Sequence, residues 1–418
     1  MRIAQIHKFF RPGGGADRYM AEVARLLQRD GHGVGIFSTA GPDNLAHDGP
    51  ARFVEGRQIE RMRVPLWRAA PLALSCLYSR RVERELDAFL QDFRPDAAHL
   101  HNYHYHLTPS ILRALRRRRI PVVHTLHDYH LVCPNHNLFD TRRGRPCEAC
   151  ARHRFLGPLL LRCREGSWSK SALASAELAL YRDSRLYREA VHTYLSPSRF
   201  LLEKLRAMGF DPPRASVLPN FVDLAVFRPA DSPADRADPP ALIHFAGLAP
   251  HKGIATAIRA MARIPRARLW IAGAGAMEAP ARRMAAECAP GRIEFLGYRS
   301  SEELREIVPR AALSIQCPDW PENGPLSLLE SLACGVPVVA ARTGGLPEAV
   351  AEGETGALFP PGDAEALAAA VNGLLADSAR LAQMGRAARS DAERRFGAAG
   401  HMRRLMDYYA EAAERAAR

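Results

Sequence analysis

The sequence predicts an α/β protein with two doubly wound parallel-sheet domains that face a cleft. Short apolar runs alternate with helical patterns almost throughout the 418 residues, which is typical of parallel sheets covered by helices on both faces. The alternation stops at Asp231–Pro240, a stretch with three prolines and no large apolar residue, and then restarts. Ligands are expected in the crevice where the carboxyl ends of the two sets of strands meet.

The first domain is predicted to span residues 1–220. It has a glycine-rich turn at Pro12–Gly15 and a helix at Ala16–Arg29, and further helices begin at Pro109 and Ser198. Its strands are predicted at Arg2–His7, Val34–Ser38, Ala97–Leu100, Pro121–Thr125, Thr193–Ser196 and Ser216–Leu218.

The second domain is predicted to span residues 221–398. The alanine-rich tail at 399–418 is expected to form a C-terminal helix, because alanine has the highest helix propensity. The strands of this domain are predicted at Ala241–Ala246, Ala267–Ile271, Ile293–Phe295, Ala312–Ile315 and Pro337–Ala340.

The chain carries a formal net charge of +13, with arginine clusters at Arg116–Arg119 and between Arg142 and Arg154. One interpretation is a set of solvated helix faces. The other is attraction to an anionic partner, such as lipid headgroups or a pyrophosphate-bearing substrate. The chain has no helix-turn-helix pattern, zinc-finger pair or aromatic ribonucleoprotein motif, so nucleic acid is not expected as a partner.

The sequence also predicts where the protein works. No apolar run approaches the roughly 18 residues that cross a bilayer. Met1 leads directly into a strand and not into a signal peptide. We therefore expect a cytoplasmic protein, with peripheral contact to the anionic inner face of the membrane through its basic clusters.

The stretch Trp320–Ala341, WPENGPLSLLESLACGVPVVAA, places two carboxylates eight positions apart. Pro325 suits the first turn of a helix, whose N–H groups suit phosphate oxygens, and Gly335 ends that helix. Glu322 then lies on the loop before the helix. Glu330 lies within the helix among apolar residues, where a carboxylate needs donors such as sugar hydroxyls. The alternative is that Glu330 faces solvent.

This stretch resembles the acidic E-x7-E motif, with the helix and strand that follow it, of the family-4 retaining glycosyltransferases. The resemblance covers nearly the whole chain, because further stretches fall in the order of that family: His7–Ser38, His99–Asn102, Thr125–Asp128, Ser196–Phe200, Leu218–Phe227, Phe245–Gly253, Ile271–Gly275, Gly344–Ala349 and Glu354–Gly362. It implies the GT-B fold of two Rossmann-like domains and a nucleotide diphosphate sugar as co-substrate. It also implies retention of anomeric configuration without a catalytic metal or other cofactor.

The resemblance further implies roles for the residues of the motif. Glu330 would bind the donor ribose hydroxyls, Glu322 would bind the donor sugar, and backbone amides of Asn323–Leu326 would hold the sugar and phosphates. The sequence departs from the family where Pro325 replaces the usual glycine and Gly324 replaces the usual aromatic residue. Because proline has no N–H to donate, the set of donating amides is expected to shift by one residue.

Lys252 lies in a turn between a predicted strand and a predicted helix. A lysine there can neutralise the charge that collects on the leaving nucleotide diphosphate, although an ordinary exposed lysine is the alternative. The family usually pairs this lysine with an arginine five positions earlier, where this chain has Gly247. The second positive charge would then have to come from His251 or from the basic first domain.

Two features of the first domain are further site candidates. Gly14 and Gly15 belong to a run of glycines that lets the backbone approach a ligand, although tight turns use glycine too. His127, at the carboxyl end of a predicted strand, resembles the first-domain histidine of the family that faces the sugar from the acceptor side. In such a reaction the donor phosphate would assist the incoming hydroxyl, and His127 would orient the sugar or the acceptor. His101 is a second candidate.

Four cysteines, Cys133, Cys147, Cys150 and Cys163, fall in a predicted insertion at about residues 129–168. Four thiolates can hold a structural zinc ion, and the C-x2-C spacing in the middle favours such a site. A second C-x2-C pair is absent, so a redox-inert cysteine-rich loop is the alternative interpretation.

We expect a retaining glycosyltransferase that moves a hexose-type sugar from a UDP- or GDP-sugar to a glycan or lipid-linked acceptor in surface polysaccharide or glycolipid synthesis. A nicotinamide-dependent oxidoreductase is an alternative, but Arg18 and Glu278 interrupt the G-x-G-x-x-G pattern at its last position. The third hypothesis is a catalytically inactive glycosyltransferase-like binding protein, because Gly247 replaces the arginine. The presence of Glu322, Glu330 and Lys252 argues against that loss of activity.

Overall fold

The structure is a computed structural model that describes residues 1–55, 75–151, 155–181, 184–232 and 236–417. Arg152 and Arg154 of the second basic cluster, residues 233–235 of the predicted linker and residue 418 of the predicted C-terminal helix lie outside the described residues. The chain forms two compact units. The first unit comprises residues 1–137, 148–218 and 402–418, and the second comprises residues 138–147 and 219–401.

The first unit is built on a parallel sheet with seven strands among the described residues: β1 Arg2–Ile6, β2 Gly33–Ala40, β3 Ala51–Glu55, β4 Ala97–Leu100, β5 Val122–Thr125, β8 Thr193–Ser196 and β9 Ala215–Val217. Their order is β3-β2-β1-β4-β5-β8-β9, and every neighbouring pair is parallel. The strand order reverses between β1 and β4, so the carboxyl ends of these two strands flank a crevice in which α/β proteins bind ligands.

The helices of the first unit are α1 Gly15–Arg29, α2 Arg80–Phe93, α3 Ser110–Arg117, α4 Gly157–Leu161, α5 Trp168–Tyr181, α6 Arg185–Ala190 and α7 Arg199–Ala207. Serine side chains begin two of them, because Ser79 accepts from the N–H of Val82 and Ser198 accepts from the N–H of Leu201. Such caps satisfy N–H groups that have no partner inside the helix. They explain why the predicted helix start at Ser198 is confirmed.

The second unit contains a parallel sheet with six strands in its described part: β10 Ala241–Phe245, β11 Arg268–Ala272, β12 Ile293–Gly297, β13 Leu313–Gln316, β14 Val338–Ala341 and β15 Gly356–Phe359. Their order is β12-β11-β10-β13-β14-β15. The same unit includes a short antiparallel hairpin formed by β6 Phe139–Asp140 and β7 Arg145–Pro146. Its helices are α8 Ile254–Ala260, α9 Glu278–Cys288, α10 Ser301–Ile307, α11 Leu326–Ala333, α12 Leu346–Ala349, α13 Ala364–Leu375 and α14 Ser378–Arg395.

Both faces of the second sheet are buried under helices. Successive residues of a strand point to opposite faces, so Leu242 packs in one apolar cluster and Ile243 in another. The first cluster contains residues of α8, α9 and α13, and the second contains residues of α10, α11 and α14. The predicted doubly wound sheet is therefore confirmed in this unit.

The two units differ from the predicted domain boundaries in two places. Residues 138–147 lie inside the predicted insertion of the first domain but pack with the second unit, where the Phe139 ring lies 6.2 Å from that of His251. The last helix, α15 Ala398–Ala417, begins in the second unit, but its residues from Met402 onward pack with the first. Both differences arise from contacts between residues far apart in the sequence. Over the described residues, every helix is too short or too polar to span a membrane.

His124 is a buried histidine in the centre of the first sheet. It is 2% exposed, and its ring lies 5.5 Å from that of Tyr103 and 5.6 Å from that of Tyr194. Burial lowers the pKa of His124 to about 3, and His104 and His127 lower it further. The imidazole is therefore neutral in the folded protein at neutral pH.

We expect His124→Phe to make the free energy of unfolding fall less steeply as the pH is lowered. As pH falls below about 6.5, the unfolded chain binds a proton that folded His124 does not, so the free energy of unfolding falls until the folded pKa near 3 is reached. Removing this histidine should reduce the slope by up to about 1.4 kcal/mol per pH unit. Urea titrations between about pH 7 and pH 5 measure the slope, with His32→Phe, a partly exposed position, as the control. Equal slopes for His124→Phe and the unmodified protein would contradict the expectation.

Candidate active site

Lys252 lies in a 3-10 turn at Pro250–Lys252, between β10 and α8. Gly253 follows in the left-handed region with φ of +71°. A Cβ atom on Gly253 would lie 1.7 Å from the carbonyl oxygen of Cys317, so only glycine fits here. This close approach holds Lys252 beside the loop of residues 317–325, which follows β13.

The partner of Lys252 is Glu322, on that loop. Lys252 Nζ donates to Glu322 Oε2, and Trp320 Nε1 donates to the same oxygen over 3.1 Å. The ammonium also lies 5.0 Å from the centre of the Trp320 ring, within the range of a cation–π contact. The Lys252 side chain is 25% exposed and that of Glu322 is 12% exposed. The ammonium is therefore held in place and still accessible to an anion such as a diphosphate.

The backbone of Glu322 is fixed by the turn after β14. Its carbonyl oxygen accepts from the N–H of Gly345 over 2.7 Å. Gly344 has φ of +60°, and a Cβ atom there would lie 2.0 Å from the same oxygen. The glycines of the Gly344–Ala349 stretch therefore allow the close approach that positions the carboxylate.

The helix predicted after Pro325 is confirmed as α11, with Pro325 as the residue before its first turn. Glu330 is buried, at 3% exposure, so the alternative in which it faces solvent is wrong. Because Pro325 has no N–H, the first amides that this helix offers belong to Leu326 and Ser327. Whether the donor contacts shift by one residue, as expected from the sequence, stays a prediction.

Three polar residues beside this loop were not predicted from the sequence. Asn220 Nδ2 donates to the carbonyl oxygen of Gly324 over 2.7 Å. Ser327 Oγ donates to Gln316 Oε1 over 3.2 Å, which ties the start of α11 to the end of β13. Neither contact has a local sequence signal, because the partners are 104 and 11 positions apart.

His251 does not supply the second positive charge. Its ring lies 5.2 Å from that of Trp320. Burial lowers the pKa of His251 to about 4, and Lys252 lowers it further while Glu322 opposes the change. The imidazole is neutral at pH 7. At Gly247 itself, a Cβ atom would have no neighbour within 4 Å among the described residues, so the position is open to a longer side chain.

In the first unit the structure brings His127 and His101 together. They follow β5 and β4, and His127 Nε2 lies 3.0 Å from His101 Nδ1. Burial lowers the pKa of His127 to about 3, and His7 lowers it further. Burial also holds the pKa of His101 well below its ordinary value. Both rings are therefore neutral at physiological pH, and His127 lies at the strand end predicted for it.

Gly14 and Gly15 begin α1, and a Cβ atom at either would have no neighbour within 4 Å in the described part of the chain. Asp17, in the first turn of the same helix, lies 2.7 Å from His7 Nε2. This carboxylate already places negative charge at the helix N-terminus and so disfavours a second anion there. A role of Gly14 and Gly15 in binding the donor stays a prediction.

Of the four cysteines of the predicted zinc site, Cys147 belongs to the second unit and the other three belong to the first. Cys133 and Cys150 are buried, Cys147 and Cys163 are partly exposed, and none is in a disulfide. Among the described residues, no cluster of three or more metal-binding side chains contains a cysteine. The structural zinc site stays a prediction.

Another group, His104, His130 and Glu177, has ligand atoms within 4.8 Å of one another. His104 Nδ1 lies 3.5 Å and His130 Nε2 lies 3.3 Å from the carboxylate of Glu177. The two imidazole rings are stacked, with centroids 3.4 Å apart and planes 20° apart. An ion in the plane of one ring would therefore lie outside the plane of the other. In this arrangement the group is a buried carboxylate flanked by two imidazoles and not a metal site.

If the four cysteines of the insertion bind zinc, protein purified without chelator should carry about one zinc ion per chain, as a closed site of four thiolates would. Cys150→Ser should remove the ion because it removes one ligand, whereas Cys288→Ser, outside the insertion, should retain it. Elemental analysis of the purified proteins measures the zinc content. Absence of zinc from the unmodified protein would leave only the interpretation as a redox-inert loop.

The sequence matches two family models. The model described as Glycosyltransferase Family 4 matches residues 13–226, slightly more than half of the chain. The model described as Glycosyl transferases group 1 matches residues 230–391. The first match lies largely in the first unit, and the second lies entirely within the second unit.

Three similar proteins illustrate the likeness. D-inositol 3-phosphate glycosyltransferase of Mycobacterium sp. (strain JLS) is 37% identical over 177 residues, which is 40% of this chain and 40% of that relative. Sucrose-phosphate synthase from Thermosynechococcus elongatus superposes with a TM-score of 0.74 at 22% identity and covers 98% of both chains. Anabaena HepE in complex with UDP-glucose superposes with a TM-score of 0.68 at 20% identity, over 97% of this chain and 98% of HepE. At these identities the two structural likenesses show the fold.

Proposed function

Because the chain belongs to glycosyltransferase family 4 and has the GT-B fold, we propose that it is a retaining hexosyltransferase. It moves a sugar from a nucleotide diphosphate donor to a glycan or lipid-linked acceptor in surface polysaccharide or glycolipid synthesis. The observation that carries the proposal is the accessible Lys252–Glu322 pair beside Trp320, followed by the buried Glu330 on α11. These are the residues that the family motif assigns to the donor.

In the proposed reaction, the bond between the anomeric carbon and the diphosphate oxygen breaks while the acceptor oxygen bonds to the same face of the sugar. The proton of the acceptor hydroxyl passes to the departing phosphate oxygen, which balances the step. Lys252 neutralises the charge that collects on the diphosphate, and it is already oriented by Glu322 and Trp320. Glu322 binds the sugar hydroxyls, and Glu330 accepts from the ribose hydroxyls.

The similar proteins support a nucleotide sugar as the donor. HepE was solved with UDP-glucose, and the mycobacterial relative is named for D-inositol 3-phosphate as its acceptor. A phosphorylated cyclitol is therefore a second candidate acceptor for this chain, favoured by the 37% identity to that relative.

Nucleotide binding and sugar transfer assays distinguish the candidate donors and acceptors, and they also test the two alternative functions. A thermal-shift series with UDP, GDP, ADP and dTDP identifies the base, and release of the nucleotide from the matching sugar donors measures transfer. Glycan, lipid-linked pyrophosphate and inositol 3-phosphate acceptors are then compared. Stabilisation by NAD instead of any nucleoside diphosphate would favour the oxidoreductase. Binding without transfer to any acceptor would favour the inactive binding protein.

Glu330→Ala and Lys252→Ala should affect different steps. In Glu330→Ala, loss of the contacts to the donor ribose is expected to weaken nucleoside diphosphate binding about ten- to hundredfold. In Lys252→Ala, loss of the ammonium should lower kcat about a hundredfold or more at saturating donor, because its charge matters most as the diphosphate leaves. Calorimetry and steady-state kinetics measure the two effects, with the exposed Glu287→Ala as control. Nucleotide affinity unchanged in Glu330→Ala, or kcat unchanged in Lys252→Ala, would remove that residue from the site.

Gly247→Arg should raise activity. The position is exposed and open, so an arginine can be added without displacing a neighbour in the described part of the protein. A second cation near the diphosphate would strengthen transition-state binding, and we expect kcat/KM to rise about three- to tenfold. Gly247→Ala is the matched control for the loss of glycine. An Arg variant no better than the Ala variant would show that the missing charge is supplied elsewhere.

Membrane contact is the remaining part of the proposal. Three of the four arginines at Arg116–Arg119 contribute little charge to it, because Arg116 pairs with Glu189 at 2.8 Å, Arg117 with Glu83 at 2.9 Å and Arg118 with Asp87 at 2.7 Å. A different surface of the first unit is better suited. Four of its large apolar side chains are 49–72% exposed, and they lie within one segment: Leu156, Leu160, Trp168 and Leu180.

We expect the protein to sediment with anionic vesicles at low salt and to be released as salt rises, because the attraction of exposed cations is screened over about 10 Å at 0.1 M salt. The double variant Leu156→Ser, Leu160→Ser should bind less, since it removes apolar surface that can enter the interface. Tyr298→Ser, an exposed aromatic of the second unit, is the control. Equal sedimentation with neutral and anionic vesicles would contradict an electrostatic attraction of the protein to the membrane.

A further inference from the structure

Two cations of the first unit lie against the ring of Phe9, in the loop that follows β1. The guanidinium carbon of Arg11 lies 4.1 Å from the centre of that ring, and Lys8 Nζ lies 5.5 Å from it. Both distances are within the range of cation–π contacts. The ring of His106, in the loop that follows β4, lies 4.8 Å from the same phenyl ring. The loops after β1 and β4 thus meet around Phe9.

Arg164 brings a third positive charge to these loops. Its guanidinium carbon lies 5.0 Å from the centre of the ring of Tyr105, the residue before His106. We call Lys8, Arg11 and Arg164 the cation triad. Burial lowers the pKa of His106 to about 4, and all three members of the cation triad lower it further. The three charges therefore act on one imidazole, although they come from segments far apart in the chain.

The charge of the cation triad is only partly offset. Unlike the arginines at 116–118, its members have no carboxylate partner within 4 Å in the described part of the chain. Lys8 does act on the carboxylate of Asp128. Burial raises the pKa of Asp128, but two neighbouring histidines and Lys8 bring it down to about 2, so this carboxylate is ionised. Three cations near one carboxylate leave an excess of positive charge.

The loop that carries Lys8 is held in place at the crevice of the first sheet. The N–H of Lys8 donates to the carbonyl oxygen of Asn102 over 2.7 Å, and Thr39 Oγ1 donates to the carbonyl oxygen of Lys8. The strand order reverses between β1 and β4, which is where α/β proteins bind ligands. Lys8 and Arg164 are partly exposed and Arg11 is exposed, so a solute can reach all three.

We propose that the cation triad binds a phosphate or pyrophosphate group of the acceptor. Phosphate oxygens accept short, charge-assisted hydrogen bonds from Lys and Arg, whereas a neutral glycan would leave the excess charge without a counter-ion. This inference rests on the proposed function, which assigns the donor diphosphate to Lys252 of the second unit and the acceptor to His127. Asp128, the residue after His127, is the carboxylate on which Lys8 acts. The anionic group would therefore bind beside the place of the reacting hydroxyl.

Calorimetry with inorganic pyrophosphate tests the anion site without any transfer reaction. The titration uses Lys252→Ala, which lacks the cation assigned to the donor. We expect saturable binding, and we expect the addition of Lys8→Gln and Arg11→Gln to weaken it about tenfold or more. Adding Arg29→Gln and Arg206→Gln instead removes two exposed charges that pair with nearby carboxylates, and should leave the affinity unchanged. Absence of binding, or equal affinity in all three proteins, would overturn the proposal.

Arg164→Gln provides a second variant in case the changes at Lys8 and Arg11 disturb their loop. It should also weaken pyrophosphate binding about tenfold, because it removes one charged donor. Arg164→Lys keeps the charge and should restore part of the affinity. Thermal unfolding measures whether each variant is folded. A folded Arg164→Gln variant that binds pyrophosphate as tightly as its parent would contradict a site of three cations.

Transfer assays test whether the acceptor carries the anionic group. Inositol 3-phosphate and a lipid-linked pyrophosphate are compared with inositol and a neutral glycan, with the donor that the nucleotide series identifies. We expect transfer only to a phosphorylated acceptor, and the preferred one distinguishes a soluble source from a lipid. Lys8→Gln with Arg11→Gln should raise the acceptor KM about tenfold or more and leave the donor KM unchanged.

Two kinetic results would overturn the proposal. One is equally efficient transfer to a neutral acceptor. The other is a raised donor KM with an unchanged acceptor KM, which would assign the cation triad to the donor diphosphate. Absence of transfer to every acceptor, with pyrophosphate binding through the cation triad intact, would instead refute the proposed function and leave the anion site.

Discussion

The close approach of Gly253 to the carbonyl oxygen of Cys317 is the constraint on which the site of the second unit depends. A single Cβ atom at Gly253 would overlap that oxygen, so the turn after β10 and the loop after β13 can meet only if this residue is glycine. Their meeting places Lys252 against Glu322 and Trp320. Gly344 makes a similarly close approach to the backbone of Glu322. The two charged groups are thus positioned by backbone contacts, and their own attraction has only to orient the side-chain ends.

Much of the fold and of this site follows from local sequence. Short apolar runs predicted most strands within one or two residues, because a strand buried on both faces has few other compositions available. The edge strands β3 and β15 were not predicted as strands, since β3, for example, has one buried residue, Val54, among exposed and partly buried ones. Lys252, Glu322 and Glu330 could be predicted as site residues because each lies in a short motif whose neighbours, a glycine turn or a helix start, have recognisable residue types.

Features that depend on distant partners were not predicted. The basic run Arg116–Arg119 suggested a cationic surface, but the charge of three of its arginines is offset by Glu83, Asp87 and Glu189, which lie on other helices. The sequence made His251 a candidate cation, but burial beside Trp320 lowers its pKa to about 4 and leaves the imidazole neutral. Sequence shows how many charges a chain has, but the effective charge at one place depends on packing. In this site packing leaves Lys252 as the cation beside Glu322.

The buried position of Tyr409, on α15, has a consequence for biosynthesis. Its hydroxyl bonds to His99, and the two residues are 310 positions apart in the chain. A growing chain can form the strands of the first unit early, but the bond between Tyr409 and His99 must wait until residues 402–417 have left the ribosome. Until then His99 lacks its Tyr409 partner, so the interior of the first unit is incomplete. The part of the protein made first is therefore the part whose maturation ends last.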